Sequence, residues 1–185
     1  MQAVLVEPGG VSYNRDMATN AARTSILFVC LGNICRSPTA EAVFRATAER
    51  SGQASRLHVD SAGTGEWHVG NPPDWRAIAH ARKRGYDLSS LRARQVGRED
   101  FERFDWILAM DRSNLRDLES MRPGAFRGHL GLFLDLAPAL GRREVPDPYD
   151  GGGEGFELVL DLIEEASRAL LARVVPRSPP AGPST

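Results

Sequence analysis

The chain has 185 residues, which is enough for one domain with a sizeable hydrophobic core. Its 23 basic residues nearly balance its 24 acidic residues, so we expect no nucleic acid among its partners. The two cysteines lie in one short segment, which does not suit the disulfide framework of a secreted protein. Neither a signal peptide nor a membrane-spanning apolar run is recognisable. We therefore expect a cytoplasmic monomer that does not associate with membranes.

The two ends of the chain differ from its middle. Residues 1–24 are polar and show no periodicity, whereas residues 176–185 are rich in proline. Neither composition supplies an apolar face that could be buried. We expect a disordered extension over residues 1–24, one domain over residues 25–175, and a disordered tail over residues 176–185.

Strand and helix patterns alternate along the predicted domain. Strands are predicted at residues 26–30, 57–61, 106–110 and 130–136, and helices at residues 39–50, 74–84, 112–120 and 156–174. Such alternation predicts a three-layer α/β/α domain with a parallel sheet. Ligands of such domains bind at the carboxyl ends of the strands, where the first strand places Cys30.

The loop after the first strand carries most of the chemical information. Five residues separate Cys30 from Arg36, and Ser37 and Pro38 follow directly. A loop of this length can surround a phosphate with the backbone amides of residues 31–36. We expect Ser37 to be the N-cap of the next helix and Pro38 its first residue, so that the positive end of the helix faces the anion. The planar fork of Arg36 can hold two phosphoryl oxygens at once.

Cys30 itself has two interpretations. It is either a small buried apolar residue that ends a strand, or a nucleophile. Helix N-termini and nearby cations favour the thiolate form of a cysteine, and the Ser37 hydroxyl is placed to donate a hydrogen bond to the sulfur. The combination of a strand, the spacing to Arg36 and the Ser-Pro pair favours the nucleophile.

These residues belong to a longer pattern. Residues 29–38, VCLGNICRSP, resemble the signature loop of the low-molecular-weight protein tyrosine phosphatases, and the resemblance extends over residues 25–174. Six further blocks resemble that family in the same order: DSAG at 60–63, WHVG at 67–70, PPD at 72–74, ARQ at 93–95, AMDRSNL at 109–115 and DPY at 147–149. The resemblance implies a four-stranded sheet of order 2-1-3-4. It also implies hydrolysis of protein phosphotyrosine through a phosphocysteine, with no metal and no cofactor.

The resemblance also assigns the remaining site residues. Asp147 matches the general acid that protonates the leaving oxygen; alternatively it only starts a turn, and Asp150 competes for the role. Trp67 and Tyr149 match the walls of an aromatic pocket, and the neighbouring His68 is expected at the surface. The phosphate-binding loop comprises Leu31, Gly32, Asn33, Ile34, Cys35, Arg36 and Ser37, and Ser61 matches a position that supports it.

Three positions need separate comment. Cys35 either simply fits the loop or forms a protective disulfide with Cys30 on oxidation, and we favour the second interpretation. Leu91 stands where the family has a histidine, so the hydrogen-bond network around Asn33 has to be shorter or closed by another group. Asp150 stands where the family often has a second aromatic residue.

Three rival functions remain to be weighed. Related arsenate reductases need two further cysteines downstream, and this sequence has none after Cys35. A phosphoarginine-specific branch has a threonine at the position of Ile34, whereas isoleucine favours a phenolic ester. A binding module for phosphotyrosine would need Arg36 but neither Cys30 nor Asp147. We therefore predict an enzyme whose substrates are phosphotyrosine proteins.

Overall fold

The structure is a computed structural model that describes residues 23–175. The expected proline-rich tail and all but the last two residues of the expected N-terminal extension lie outside the described residues. Thr24, which we had included in that extension, begins the first strand and pairs with Leu57.

The described part of the chain forms four strands and five helices, which we number in chain order. The strands are β1 (Thr24–Cys30), β2 (Leu57–Gly63), β3 (Trp106–Ala109) and β4 (His129–Leu132). The helices are α1 (Arg36–Arg50), α2 (Trp75–Lys83), α3 (Asp100–Arg103), α4 (Arg112–Met121) and α5 (Gly153–Val174). Short 3-10 turns occupy Ala54–Arg56, Phe133–Leu136 and Pro138–Leu140.

All the strands pair in parallel, in the order β2-β1-β3-β4. This confirms the α/β fold and the strand order that the family resemblance implied. In this order β1 is central, and Cys30 stands at its carboxyl end beside Gly63 of β2. The parallel arrangement brings the carboxyl ends of all the strands to one edge of the sheet, where ligands bind in folds of this class.

The sheet is covered on both faces because successive side chains of β1 point to opposite sides. Ile26, Phe28 and Cys30 belong to a core shared with α1, α2 and α5. Leu27 and Val29 belong to a second core shared with α3 and α4. The three layers follow from this division. No helix within residues 23–175 has the length and apolar character needed to cross a membrane.

Two local predictions were wrong. Helix α1 begins at Arg36, with Cys35 as its N-cap, so Ser37 and Pro38 lie inside the first turn. The Ser37 hydroxyl is engaged by Cys30 and Ala62 and is not free to cap the helix. Strand β4 ends at Leu132, and residues 133–136, which we had predicted as strand, form a 3-10 turn. A short segment rich in leucine and phenylalanine does not by itself distinguish a strand from a 3-10 turn.

Candidate active site

The phosphate-binding loop connects β1 to α1 and begins directly after Cys30. Cys30 is 2% exposed, and its Sγ lies 3.0 Å from the Ser37 hydroxyl. The backbone N–H of Asn33 donates to the same sulfur at 3.2 Å. The Ser37 hydroxyl also lies 3.1 Å from Ala62 O, and it is placed to donate to the sulfur when the sulfur carries a negative charge. The backbone of the loop therefore curls round the sulfur at the end of the central strand.

The neighbouring strand supports this loop by very close backbone contact. Thr64 N donates to Cys30 O and Gly65 N to Leu31 O, both at 2.9 Å. A Cβ atom at Gly63 would lie 2.6 Å from Leu31 O. Glycine is therefore required at position 63, because any side chain would push the loop away from β2.

Asn33 organises the inside of the loop. It has φ of +55°, a left-handed conformation that is uncommon for a residue other than glycine. Its side-chain Nδ2 donates to Ser37 Oγ at 2.9 Å and to Ser61 Oγ at 3.0 Å, and its Oδ1 accepts from Arg94 N at 2.9 Å. All the hydrogen-bonding capacity of the amide group is used to hold this conformation, apart from one lone pair of the oxygen.

The network around Asn33 continues to a residue that the sequence analysis missed. The Ser61 hydroxyl donates to Glu41 Oε2 at 2.6 Å, and the other oxygen of Glu41 binds Arg45 at 2.7 Å. Glu41 is 2% exposed, and burial raises the pKa of its carboxyl group. The group that closes the network in place of the family's histidine is therefore Glu41. A signal was present in the sequence: Glu41 is an acidic residue among the apolar residues AEAVF of α1.

Arg36 is almost completely buried and is held by two carboxylates. Its Nη1 donates to Asp111 Oδ2 at 2.6 Å and to Val145 O at 3.2 Å, and its Nη2 donates to Asp147 Oδ2 at 2.6 Å. Burial alone would lower the pKa of Arg36, but Cys30 and the two carboxylates more than offset it, and the pKa is raised. Arg36 therefore remains a cation beside the sulfur.

Asp111 is a second residue to which the sequence analysis gave no role. It stands just beyond the end of β3, where its Oδ1 accepts from Asn114 N at 2.8 Å and caps α4. Its Oδ2 binds Arg36. A helix cap and an arginine anchor thus share one carboxylate, and the capping function alone was readable from the Asp-Arg-Ser-Asn segment.

Asp147 approaches the loop from the segment ahead of α5. Val145 N donates to Met110 O at 2.8 Å, which fixes this segment at the carboxyl end of β3. The Asp147 side chain is 46% exposed and reaches both Arg36 and the cavity beside Cys30. Its Oδ1 also accepts from Tyr149 N at 3.1 Å. Asp150 lines the same cavity, so both candidate acids are close to the loop.

One cavity of about 330 Å³ brings the predicted residues together. Trp67 and Tyr149 form part of its lining, with 69% and 48% of their surfaces exposed. His68, which we expected at the surface, is half-buried and also lines it. The other lining residues are Cys30, Leu31, Gly32, Ile34, Cys35, Arg36, Asp147 and Asp150. Asn33 and Ser37 are buried behind the loop.

Tyr149 is fixed from outside the cavity. Arg76 donates to Tyr149 O at 3.0 Å, and its guanidinium lies 5.4 Å from the centre of the Tyr149 ring. The same guanidinium binds Asp74, the N-cap of α2. One end of α2 therefore holds one aromatic wall of the cavity.

Cys35 is buried, like Cys30. It is 5% exposed, and burial, together with the nearby Asp74 carboxylate, raises the pKa of its thiol far above the ordinary value. Both cysteines are free thiols in the structure. The two cysteines thus differ in their surroundings: the Asn33 N–H and the Ser37 hydroxyl lie against the sulfur of Cys30, whereas burial and the Asp74 carboxylate oppose the ionisation of Cys35.

Comparison with known proteins identifies the family of the chain. A family model described as low molecular weight phosphotyrosine protein phosphatase matches residues 25–178. The chain belongs to the low-molecular-weight protein tyrosine phosphatase family. It is a protein tyrosine phosphatase, as the resemblance of its signature loop had indicated.

Relatives of this phosphatase come from bacteria, animals and protists. It is 43% identical to low molecular weight protein-tyrosine-phosphatase YfkJ of Bacillus subtilis, over 81% of this chain and 95% of that protein. It is 42% identical to the human low molecular weight phosphotyrosine protein phosphatase, over 85% of this chain and 99% of that protein. The crystal structure of a protein tyrosine phosphatase from Entamoeba histolytica superimposes with a TM-score of 0.79 at 38% identity, covering 82% of this chain and 96% of that chain.

Proposed function

We propose that this phosphatase hydrolyses protein phosphotyrosine in two steps through a phosphocysteine at Cys30. The observation that carries the proposal is the convergence of a hydrogen-bonded sulfur, a buried arginine and a loop carboxylate on one cavity. Each group supplies one requirement of phosphoryl transfer: a nucleophile, a charge that stabilises the equatorial oxygens, and a proton donor.

In the first step, Cys30 Sγ attacks phosphorus opposite the ester oxygen. The S–P bond forms and the P–O bond to the tyrosine breaks, while protonated Asp147 gives its proton to the departing oxygen. Arg36 and the amides of residues 31–36 bind the three equatorial oxygens. Since Arg36 already contacts Asp111 and Asp147, arrival of the phosphate dianion gives the guanidinium a third anionic partner.

In the second step, water attacks the phosphocysteine. Asp147, now ionised, takes a proton from the water, the new P–O bond forms and the S–P bond breaks. Cys30 leaves as a thiolate. The Ser37 hydroxyl, 3.0 Å from the sulfur, is placed to stabilise that thiolate and so to assist its departure.

The aromatic walls favour a phenolic ester over smaller substrates. Trp67 and Tyr149 lie on the rim of a cavity whose floor is the phosphate loop, so a phosphorylated side chain has to be long enough to reach Cys30. Phosphotyrosine has that length and offers a ring to the aromatic walls. Ile34, which also lines the cavity, supplies an apolar surface that suits a phenyl ring better than a guanidinium.

The proposal also covers the location of the protein, its oligomeric state and its reversible oxidation. The protein acts as a cytoplasmic monomer, in keeping with its two free cysteines.

Oxidation by a peroxide converts the Cys30 thiolate to a sulfenic acid. The Cys35 thiol then attacks the oxidised sulfur, forming a disulfide and releasing water, and a dithiol restores both thiols.

The test compares the wild type with Cys30→Ser for hydrolysis of p-nitrophenyl phosphate in the presence of a chelator. We expect turnover by the wild type and none by the variant, which should still bind inorganic phosphate. Phosphotyrosine and phosphoarginine peptides are then compared, and faster hydrolysis of the phosphoarginine peptide would overturn the assignment. An inactive, fully reduced wild type that binds phosphate would instead support a binding module.

A further inference from the structure

A buried carboxylate lies behind the phosphate loop and takes no part in the chemistry described above. Glu41 is 2% exposed on the inner side of α1, and it meets Ser61 of β2 through Oε2 and Arg45 through Oε1. A carboxylate in this position is costly to bury unless hydrogen bonds compensate for the lost water. Burial raises the pKa of this carboxyl group, but the Ser61 hydroxyl and the Arg45 guanidinium each face one of its oxygens and favour the anion.

The donors and acceptors of Asn33 and Ser61 define the role of the Glu41 carboxylate. The Asn33 amide nitrogen has two hydrogens, and both are used, one for Ser37 and one for Ser61. Ser61 therefore accepts from Asn33, and its single proton needs another acceptor. Glu41 is that acceptor, at 2.6 Å. An ionised Glu41 can only accept, so the direction of both hydrogen bonds is fixed: Asn33 donates to Ser61, and Ser61 donates to Glu41.

The direction of these hydrogen bonds determines which donors are available to the sulfur of Cys30. Ser37 accepts from Asn33, which leaves the Ser37 proton for Cys30 Sγ at 3.0 Å or for Ala62 O at 3.1 Å. The same orientation of the Asn33 amide leaves its Oδ1 to accept from Arg94 N, which helps to hold the left-handed backbone whose N–H donates to Cys30. Reversing the amide would put an acceptor against Ser37 and a donor against Arg94 N.

We propose that Glu41 is a positioning residue of this phosphatase. By accepting a hydrogen bond from the Ser61 hydroxyl, it fixes the direction of the hydrogen bonds that stabilise the Cys30 thiolate. The inference rests on the proposed function, since it concerns the nucleophile assigned there. The side chain of Leu91 offers no polar group to this network, and the Ser61 hydroxyl donates its hydrogen bond directly to Glu41. The charged groups that surround Glu41 are Arg45, Asp60 and Arg94.

The experiment uses Glu41→Gln, which keeps the shape of the side chain and removes its charge. A glutamine can turn its amide nitrogen towards Ser61, so the direction of the network is no longer fixed. We expect kcat for p-nitrophenyl phosphate to fall about tenfold, the effect of losing one well-oriented hydrogen bond to a charged group. We also expect the midpoint of the pH dependence of Cys30 alkylation by iodoacetamide to move to higher pH.

Thr47→Val is the matched control. Thr47 lies on the same helix, is buried, and donates to Val43 O at 2.8 Å without touching the network. We expect it to lower the melting temperature but to leave kcat and the alkylation profile at wild-type values. Wild-type kcat and alkylation in Glu41→Gln would overturn the proposal, and so would equal changes in both variants, which would mark a merely structural role.

Ser61→Ala interrupts the same connection from the β2 side. It should reproduce both effects, and adding Glu41→Gln to it should cause little further loss, because the two residues act through one hydrogen bond. A wild-type profile in Ser61→Ala overturns the proposal even if Glu41→Gln does not fold. The alkylation profile requires no turnover, so it tests Glu41 separately from the proposed reaction, which the comparison of wild type with Cys30→Ser decides.

Discussion

Arg36 and Asp147 bind each other directly, with Nη2 and Oδ2 2.6 Å apart, although the proposed reaction places them on different parts of the substrate. Arg36 is buried and Asp147 is half exposed, so the ion pair joins the rigid loop to the segment that carries the acid. A phosphate dianion has to share the arginine with Asp147. The strength of substrate binding and the protonation of the acid are therefore coupled at this pair.

Asp147→Asn separates these two effects. An amide cannot transfer a proton, so we expect kcat for aryl phosphates to fall by roughly 10²–10⁴-fold. The loss should be larger for phenyl phosphate than for p-nitrophenyl phosphate, whose leaving group needs a proton less. Inhibition by inorganic phosphate should be no weaker than in the wild type, since Arg36 loses a competing anion. Asp150→Asn is the control, and a larger loss of kcat there would transfer the acid role to Asp150.

Asp111 combines two functions that substitution can separate. Asparagine is as good an N-cap as aspartate, whereas alanine is poor. We expect Asp111→Asn to keep the stability of the wild type but to raise KM for p-nitrophenyl phosphate, because Arg36 loses a charged anchor. Asp111→Ala should show the same kinetic defect and lose about 1 kcal/mol of unfolding free energy as well. Chemical denaturation and steady-state kinetics of the two variants measure both effects. Equal KM values in Asp111→Asn and wild type would contradict the anchoring role.

Asp74 links pH to the stability of the cavity wall. The hydrogen bond from Arg76 lowers the pKa of the Asp74 carboxyl below its ordinary value. A lowered folded-state pKa means that the stabilisation is present above the ordinary pKa and is lost as pH falls through the lowered one. We expect the unfolding free energy to decrease as the pH falls below about 4, the ordinary pKa of an aspartate, and Asp74→Ala to remove part of that decrease. The variant should also lose about 1 kcal/mol near neutral pH as a helix cap.

The same variant should affect substrate binding. Asp74 holds Arg76, which in turn contacts the backbone and ring of Tyr149. We therefore expect Asp74→Ala to raise KM for a phosphotyrosine peptide more than for p-nitrophenyl phosphate, which makes fewer contacts with the rim. An unchanged ratio of the two KM values would show that Arg76 does not need Asp74 to hold Tyr149.

The sequence predicted the parts of the site that depend on contiguous residues. Cys30 and Arg36 flank one short loop, and their place in the lining of one cavity follows from their spacing and from the strand that precedes them. Asp111 and Glu41 could not be assigned in the same way. Their roles depend on side chains 75 and 20 residues away, Arg36 and Ser61, which the order of the strands brings together.

The errors at element boundaries have a physical cause of the same kind. Ser37 has the preferences of an N-cap residue, yet its hydroxyl is used by the sulfur of Cys30 and the carbonyl of Ala62. Residues 133–136 are apolar enough for a buried strand, but Phe133 packs edge-on against Phe28 at 4.9 Å and the chain turns there. Tertiary contacts decided both cases, and local propensity carries no information about them.

Cys35→Ser tests the proposed redox protection. In the wild type, peroxide should inactivate the enzyme and dithiothreitol should restore most of the activity, since Cys35 captures the oxidised sulfur of Cys30 as a disulfide. The variant should be inactivated as well, but its sulfur should proceed to sulfinic acid and recover little. Mass spectrometry should show a loss of two hydrogens in the wild type and a gain of two oxygens in the variant. Because burial and Asp74 keep Cys35 protonated, the disulfide should form faster as pH rises. Equal recovery of wild type and Cys35→Ser would show that Cys35 only fills space in the loop.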